Sequence, residues 1–119
     1  MSKHALLNVA IIAANIGAAE LEFAVKKVHK LNVMKKGPTD YVTEVDRKVE
    51  EMVFDKIREY YPDDNFLGEE SGHEVNTSET TWILDPIDGT PNFIHGYPHY
   101  CISLACVVNV QTQHAVIIN

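Results

Sequence analysis

Trp82-Ile83-Leu84 runs directly into Asp85-Pro86-Ile87-Asp88-Gly89-Thr90, and this stretch constrains the chain more than any other. Three apolar residues of strand character lead into a turn carrying two carboxylates, so a strand must end where charge can be held. Asp85 and Asp88 bracket Ile87, whose backbone carbonyl is a third hard oxygen. Three oxygens within four residues suit Mg2+, which takes oxygen ligands at about 2.0–2.1 Å and keeps several waters. Gly89 lets the backbone approach a ligand closely. Thr90 and Pro91 read as a helix start, Thr as N-cap and Pro at the first helical position. A helix N-terminus beside such a cluster favours a phosphate, because free N–H groups and the positive end of the dipole face the anion. Either Asp alone also fits an Asx-turn that merely ends a strand. The whole pattern points to metal-assisted phosphate chemistry.

The remaining chain reads as alternating helix and strand. From about Ser2 to His29, Leu6, Val9, Ile12, Ala13, Ile16, Leu21, Ala24 and Val28 follow helical spacing. Within that segment Gly17-Ala18-Ala19 offers a small-residue patch where another helix can approach. Asn8, Asn15 and Glu20 interrupt the segment and argue against a membrane span. Lys35 to Asp40 reads as a loop around Gly37-Pro38, and Lys35 and Lys36 as solvated charges. Thr43-Glu44-Val45-Asp46 has the form of a capping box, with Asp46 as a cap. Val45, Val49, Met52, Val53, Ile57 and Tyr60 then predict a second helix ending at Pro62. Asn65-Phe66-Leu67 predicts a short strand before Gly68-Glu69-Glu70-Ser71-Gly72, while the polar stretch from His73 to Thr81 predicts an exposed, mobile loop. Tyr100 to Val110 predicts a strand, Gln111-Thr112-Gln113 a turn, and His114 to Asn119 the beginning of a partner strand.

Charge and cysteine usage narrow the function classes. A formal net charge of −7 over 119 residues opposes a nucleic-acid surface, which carries a basic stripe. Part of that charge is the Glu69, Glu70, Asp85, Asp88 set, which bound cations would offset. Cys101 and Cys106 are five apart on a predicted strand, so they face opposite sides and make poor disulfide partners. Two such cysteines and no secretory signal fit a reducing cytoplasm. His95 and His99 have a zinc-like interval, but Gly96 and Pro98 between them exclude a helix presenting both, so they read as surface or packing histidines. No Gly-x-Ser-x-Gly elbow, P-loop or cysteine-nucleophile motif occurs, which favours direct attack by water over a covalent intermediate.

Asp85-Pro86-Ile87-Asp88-Gly89-Thr90-Pro91-Asn92-Phe93 resembles the D-P-x-D-G-T-x-N-F signature of the inositol monophosphatase family. Gly37-Pro38-Thr39-Asp40-Tyr41-Val42-Thr43-Glu44-Val45-Asp46 and Gly68-Glu69-Glu70-Ser71-Gly72 agree with further family segments in order and spacing. Three ordered motifs are a far more specific signal than one D-x-x-D. Pro91 departs from the residue more often seen at its position; it lacks an N–H but pre-forms the helix start.

The resemblance implies an α+β fold, the layered sandwich of the inositol monophosphatase and fructose-1,6-bisphosphatase type, here its N-terminal part with two helices on a mostly antiparallel sheet. It implies Mg2+-dependent hydrolysis of a phosphomonoester, myo-inositol 1-phosphate foremost. By the same resemblance Glu69, Asp85, the Ile87 carbonyl and Asp88 are metal ligands, and Asp88 also contacts a substrate hydroxyl. Asp40 and Thr90 form an orienting pair for the attacking water, with Glu69 as its other partner, and Gly89 and Thr90 N–H groups hold the phosphate. Glu70 is left a lesser, nearby role; alone, Glu69 and Glu70 also fit two solvated charges. The same likeness implies lithium inhibition and a homodimer.

Family members are longer and carry a second α/β half with a W-D-x-A-A-G-type motif, which this chain lacks. Residues 1–119 therefore read as one N-terminal domain with the C-terminal half absent. Three other readings stay open: a phosphatase of adenosine or fructose bisphosphates, a transcription antitermination role through RNA polymerase and Nus-factor contacts, and an inactive fragment.

Overall fold

Leu6, Val9, Ala10, Ala13, Ala14, Leu21 and Ala24 are buried along one stripe of α1 (Lys3–Val33), as their spacing demands. The computed structural model describes residues 3–33, 39–88, 101–109 and 111–118, with side chains for 4–27, 44–85, 102–109 and 114–118. A second helix, α2 (Thr39–Tyr60), buries Val45, Val49, Val53, Phe54 and Ile57 against α1 and the sheet. It starts at Thr39, earlier than a capping box at Thr43 would put it. Thr39 and Asp40 are thus helical rather than loop, and Asp46 lies inside the helix rather than at its cap. The helix begins right after Pro38, a residue that disfavours helix in the position before it.

Five strands form one mixed sheet in the order β2-β1-β3-β4-β5. They are β1 (Asn65–Gly68), β2 (Gly72–Glu74), β3 (Thr80–Asp88), β4 (Cys101–Val108) and β5 (Gln111–Ile118). β1 and β3 are parallel, and the other neighbouring pairs are antiparallel. This is the expected α+β arrangement of two helices on a mostly antiparallel sheet. The helices cover one face through Phe66, Trp82, Leu84, Ile102, Leu104 and Cys106, whose alternation along the strands sets the buried side. The other face leaves Leu67, Ile83 and Ile117 exposed.

Pairing overrides three local expectations. The stretch after Gly72 does not run free: Gly72–Glu74 pairs with β1. Asn65 ties down the segment between β2 and β3, its side-chain amide donating to the carbonyls of Ser78 (2.8 Å) and Thr80 (3.0 Å). Asn76 completes the clasp, its side chain donating to the Asp64 carbonyl at 2.8 Å. The polar residues that suggested a mobile loop are its fastening. Gln111-Thr112-Gln113 is strand rather than turn, because the β4–β5 reversal is made earlier, at Asn109, where φ is 52°. Finally, Asp85 to Asp88 is not a turn ending a strand, since β3 continues to Asp88.

Among the described residues, the buried side-chain polar atoms are paired with one exception, His114 Nε2, which has no hydrogen-bond partner. Trp82 donates its indole N–H to the buried Asp64 carboxylate at 2.8 Å and stacks on Tyr61, with ring centroids 6.3 Å apart. Cys106 is a free, buried thiol, pushed up to about 12 by burial and then by the Asp64 charge, so it stays protonated and inert. By length and composition the stretch His4–Lys27 is apolar enough to cross a membrane, contrary to the expectation drawn from Asn8, Asn15 and Glu20. In this fold its buried stripe packs against α2, β4 and β5.

Gly17 is where α1 meets its neighbours, in line with the small-residue patch. A Cβ there would stand 2.8 Å from Val53 Cγ2, 3.0 Å from Ile102 Cδ1 and 3.2 Å from Val49 Cγ1. These are stiff, branched side chains in a packed core. Gly17→Val is expected to lower the unfolding free energy by about 1–3 kcal/mol through overpacking. Urea unfolding with an unchanged slope checks it, and a variant as stable as the parent contradicts this contact.

Candidate active site

The parallel pairing of β1 with β3 builds the site. Parallel neighbours end at the same edge of a sheet, and open sheets bind ligands beyond the carboxyl ends of their strands. The register matches Gly68 with Leu84, so Glu69, the first residue past β1, comes out alongside Asp85, which stays in β3 paired with Ser103. Both are exposed. Two acids well separated along the chain are thus brought together by the pairing of four backbone positions on each strand.

Beyond Asp85 the β3–β4 ladder breaks step. Asp85 pairs with Ser103 and Asp88 with Cys101, so three steps along β3 match two along β4. One extra residue in a strand is a β-bulge, which re-aims the side chains around it and is common beside active sites. Pro86 fits there because a bulge tolerates a missing N–H. The two carboxylates therefore come from a bulged strand end rather than a free turn.

Helix α2 contributes the rest. Asp46 and Glu50 are four apart and share a helix face, in line with Phe54 and Ile57 on the buried stripe. Asp46 is half-buried, and burial, followed by the charges of Glu70, Glu69, Asp85 and Glu50, pushes its carboxyl up to about 7. Glu50 is fully buried. Its Oε1 accepts the Ser71 N–H at 2.7 Å and the Ser71 hydroxyl, and its Oε2 accepts the Glu70 N–H at 3.2 Å.

Of the residues singled out in the sequence, Glu69, Glu70 and Asp85 thus converge, with Glu70 also lining an open groove between Arg47, Arg58 and Phe54. Ile87 and Asp88 lie on β3, but their side chains fall outside the described set. Asp40 is in the first turn of α2, six residues and about 9 Å of helix before Asp46, with its side chain likewise outside that set. Gly89, Thr90, Pro91, His95 and His99 lie outside the described residues. Sequence reasoning missed Glu50 and took Asp46 for a cap. The signal that could have found them was their placement: two acids on the stripe where Val49, Val53 and Ile57 demand burial.

Burial raises the Asp46 carboxyl most, and the carboxylates around it add to the rise, as they would where positive charge is lacking. Among the described side chains, no three acids or histidines stand close enough to hold a metal by themselves. The donor chemistry nonetheless fits a hard divalent cation, since every group offered is a carboxylate or carbonyl oxygen.

The model of the inositol monophosphatase family matches residues 2–119. The Nus factor SuhB of Pseudomonas aeruginosa is 40% identical over 118 residues, covering 96% of this chain and 43% of that protein. The inositol-1-monophosphatase of Rhizobium meliloti is 40% identical over 121 residues, covering 100% of this chain and 45% of that protein. The crystal structure of the extragenic suppressor protein suhB from Bartonella henselae superposes with a TM-score of 0.82 at 34% identity, over 97% of this chain and 45% of that one. The chain thus spans somewhat less than half the length of these relatives.

Asp46 gives a pH signature. Its folded value near 7 lies above the unfolded value of 3.8. Between these values the folded state keeps a proton that the unfolded state releases, so its contribution to stability falls as pH rises from about 4 to 7. In metal-free protein, Asp46→Asn is expected to be more stable than the parent at pH 8 and to match it at pH 4. Urea midpoints at the two pH values, in chelator, check this; equal midpoints at pH 8 contradict the crowding.

Proposed function

The chain belongs to the inositol monophosphatase family, and on that premise we propose that it takes part in divalent-cation-dependent hydrolysis of a phosphomonoester, with myo-inositol 1-phosphate as substrate. The observation that carries the reading is the β1–β3 register, which sets Glu69 beside Asp85 within the field that perturbs Asp46. Glu69 and Asp85 would hold Mg2+, with the Ile87 carbonyl and Asp88 completing the oxygen set. When bound, such cations lower the pKa of water and stabilise a departing alkoxide, which suits phosphate-ester hydrolysis.

The chain's own groups do the positioning. Glu69 and Thr90 orient the attacking water, and the N–H groups of Gly89 and Thr90 hold the phosphate. The sequence resemblance put Asp40 beside Thr90. Asp40's side chain and Thr90 lie outside the described set, and Asp46, within electrostatic reach of Glu69 and Asp85, is a second α2 acid for that role. Its position beside those carboxylates suits it to orienting the same water, and a cation bound there would lower its carboxyl from the raised metal-free value. A cytoplasmic location, a homodimer and lithium inhibition belong to the same proposal.

The test is Mg2+-dependent phosphate release by the full-length protein from a panel of esters: inositol 1-phosphate, adenosine 3′,5′-bisphosphate and fructose 1,6-bisphosphate. Turnover is expected with the inositol ester. Glu69→Gln and Asp85→Asn should each lower it by about 10²-fold or more, the worth of several kcal/mol of charge stabilisation. Asp88→Asn retaining near-normal turnover would defeat its assignment, and turnover confined to a bisphosphate would transfer the substrate.

The relatives named Nus factor SuhB favour one second reading, an interaction role in transcription that does not use the carboxylates. Pull-down of RNA polymerase and Nus factors with the Asp85→Ala, Asp88→Ala double variant separates the two. Retained capture supports the interaction role. Loss of phosphatase activity with no capture by either protein supports the enzyme alone.

A further inference from the structure

We propose that Glu50 is a positioning residue: its buried carboxylate fixes where the turn after β1 places Glu69 beside Asp85, and thereby sets the affinity for divalent cations. The inference rests on the reading that Glu69 and Asp85 hold those cations. The role of Glu50 is to hold the turn, not the metal.

The geometry leaves the carboxylate little other purpose. Glu50 has no exposed surface, and a charge withdrawn from water is costly unless its lone pairs are satisfied. Three donors satisfy it, and all three belong to the two residues that follow Glu69: the Glu70 N–H, the Ser71 N–H and the Ser71 hydroxyl. They approach both oxygens, Oε1 from Ser71 and Oε2 from Glu70. An ionised carboxylate, acceptor-only on both oxygens, matches this donor set, whereas a glutamine must turn its NH2 toward one of the N–H groups.

Gly68 is the complementary half of the device. A Cβ at residue 68 would overlap the Glu50 carboxylate, meeting Oε1, Cδ and Oε2 together. The carboxylate occupies the space a side chain would fill, so the backbone of the turn wraps directly around it. The residue just before Glu69 is held by exclusion and the residues just after it by hydrogen bonds. Glu69 itself, at the centre of this grip, stays exposed. Turn residues are ordinarily the loosest part of a sheet. Here the turn is clamped to α2, the same helix that carries Asp46 one turn earlier. The ligand from the end of β1 and the acid from α2 are thereby held in one frame.

The test measures Mn2+ uptake by the full-length protein at pH 7.5, following free Mn2+ by electron paramagnetic resonance, with the near-ultraviolet circular dichroism of Trp82 as the readout of fold. Glu50→Gln and Gly68→Ala should each weaken Mn2+ binding about 10–100-fold, the loss typical when a group orienting a metal ligand is removed, with the Trp82 signal kept. Gly68→Ala changes no charge, so its effect separates positioning from the mere loss of a negative group. Amide exchange at Ser71 should accelerate in both. Should both variants fail to fold, Ser71→Ala at an exposed position decides, with several-fold weaker binding expected. Variants that fold and bind Mn2+ as tightly as the parent, while Glu69→Gln does not, overturn the proposal alone. A parent protein that takes up no Mn2+ overturns the metal reading and this inference with it.

Discussion

The parallel pairing of β1 and β3 is the contact on which the site depends. An antiparallel pair would carry the residues after Gly68 and those after Leu84 to opposite edges of the sheet. The parallel register runs both toward one edge and brings Glu69, just past β1, alongside Asp85 in β3. That pairing is in turn secured from below by Phe66 and Trp82, buried on the helix side, and from behind by Asn65, whose amide ties β1 to the chain entering β3. Side-chain alternation does the rest: the residues that anchor the strands face the helices, and the acids follow at the end of β1 and along the bulged last residues of β3.

Against this scaffold works an electrostatic opposition. Folding brings Asp46, Glu50, Glu69, Glu70 and Asp85 into one field, and burial first, then these charges, raise the Asp46 carboxyl to about 7. The fold meets the problem in two ways. Glu50 is compensated by hydrogen bonds from the turn, whereas Glu69 and Asp85 stay exposed, where a cation can reach them. A core built for stability alone would have placed a neutral residue at 46, where the carboxylate is half-buried among other acids. Retaining an acid at 46 gives up stability above about pH 4, the exchange expected where function and packing compete.

Much of the fold was legible because it follows from periodicity. The helical spacing of Leu6 to Ala24 and of Val45 to Ile57, and the strand runs at 82–84 and 101–108, are local signals that tertiary structure had no reason to overrule. The misreadings share a cause. His73 to Thr81 and Gln111 to Gln113 are polar and lack a pattern of their own; their order comes from β1 and β4, the strands they pair with or are hydrogen-bonded to. Asp46 stands after a Thr at the spacing of a cap, but the helix has already begun at Thr39.

By itself the sequence determined the helices, the strands that bury their alternate residues, the family signature and two of the acids that meet, because each is written in neighbouring residues. Tertiary structure alone decided that Glu69 comes out alongside Asp85, that the Asp85–Asp88 stretch is a bulge, and that Asp46 and Glu50 join them. Glu50 shows the reason most directly. On paper it is one more acid on a helix, and its meaning comes from Gly68, Glu70 and Ser71, the last two 20 and 21 residues further along, which reach it only after α2 has packed beneath the sheet. Hydrogen bonds and charges act through space, so their partners are set by the fold rather than by separation along the chain.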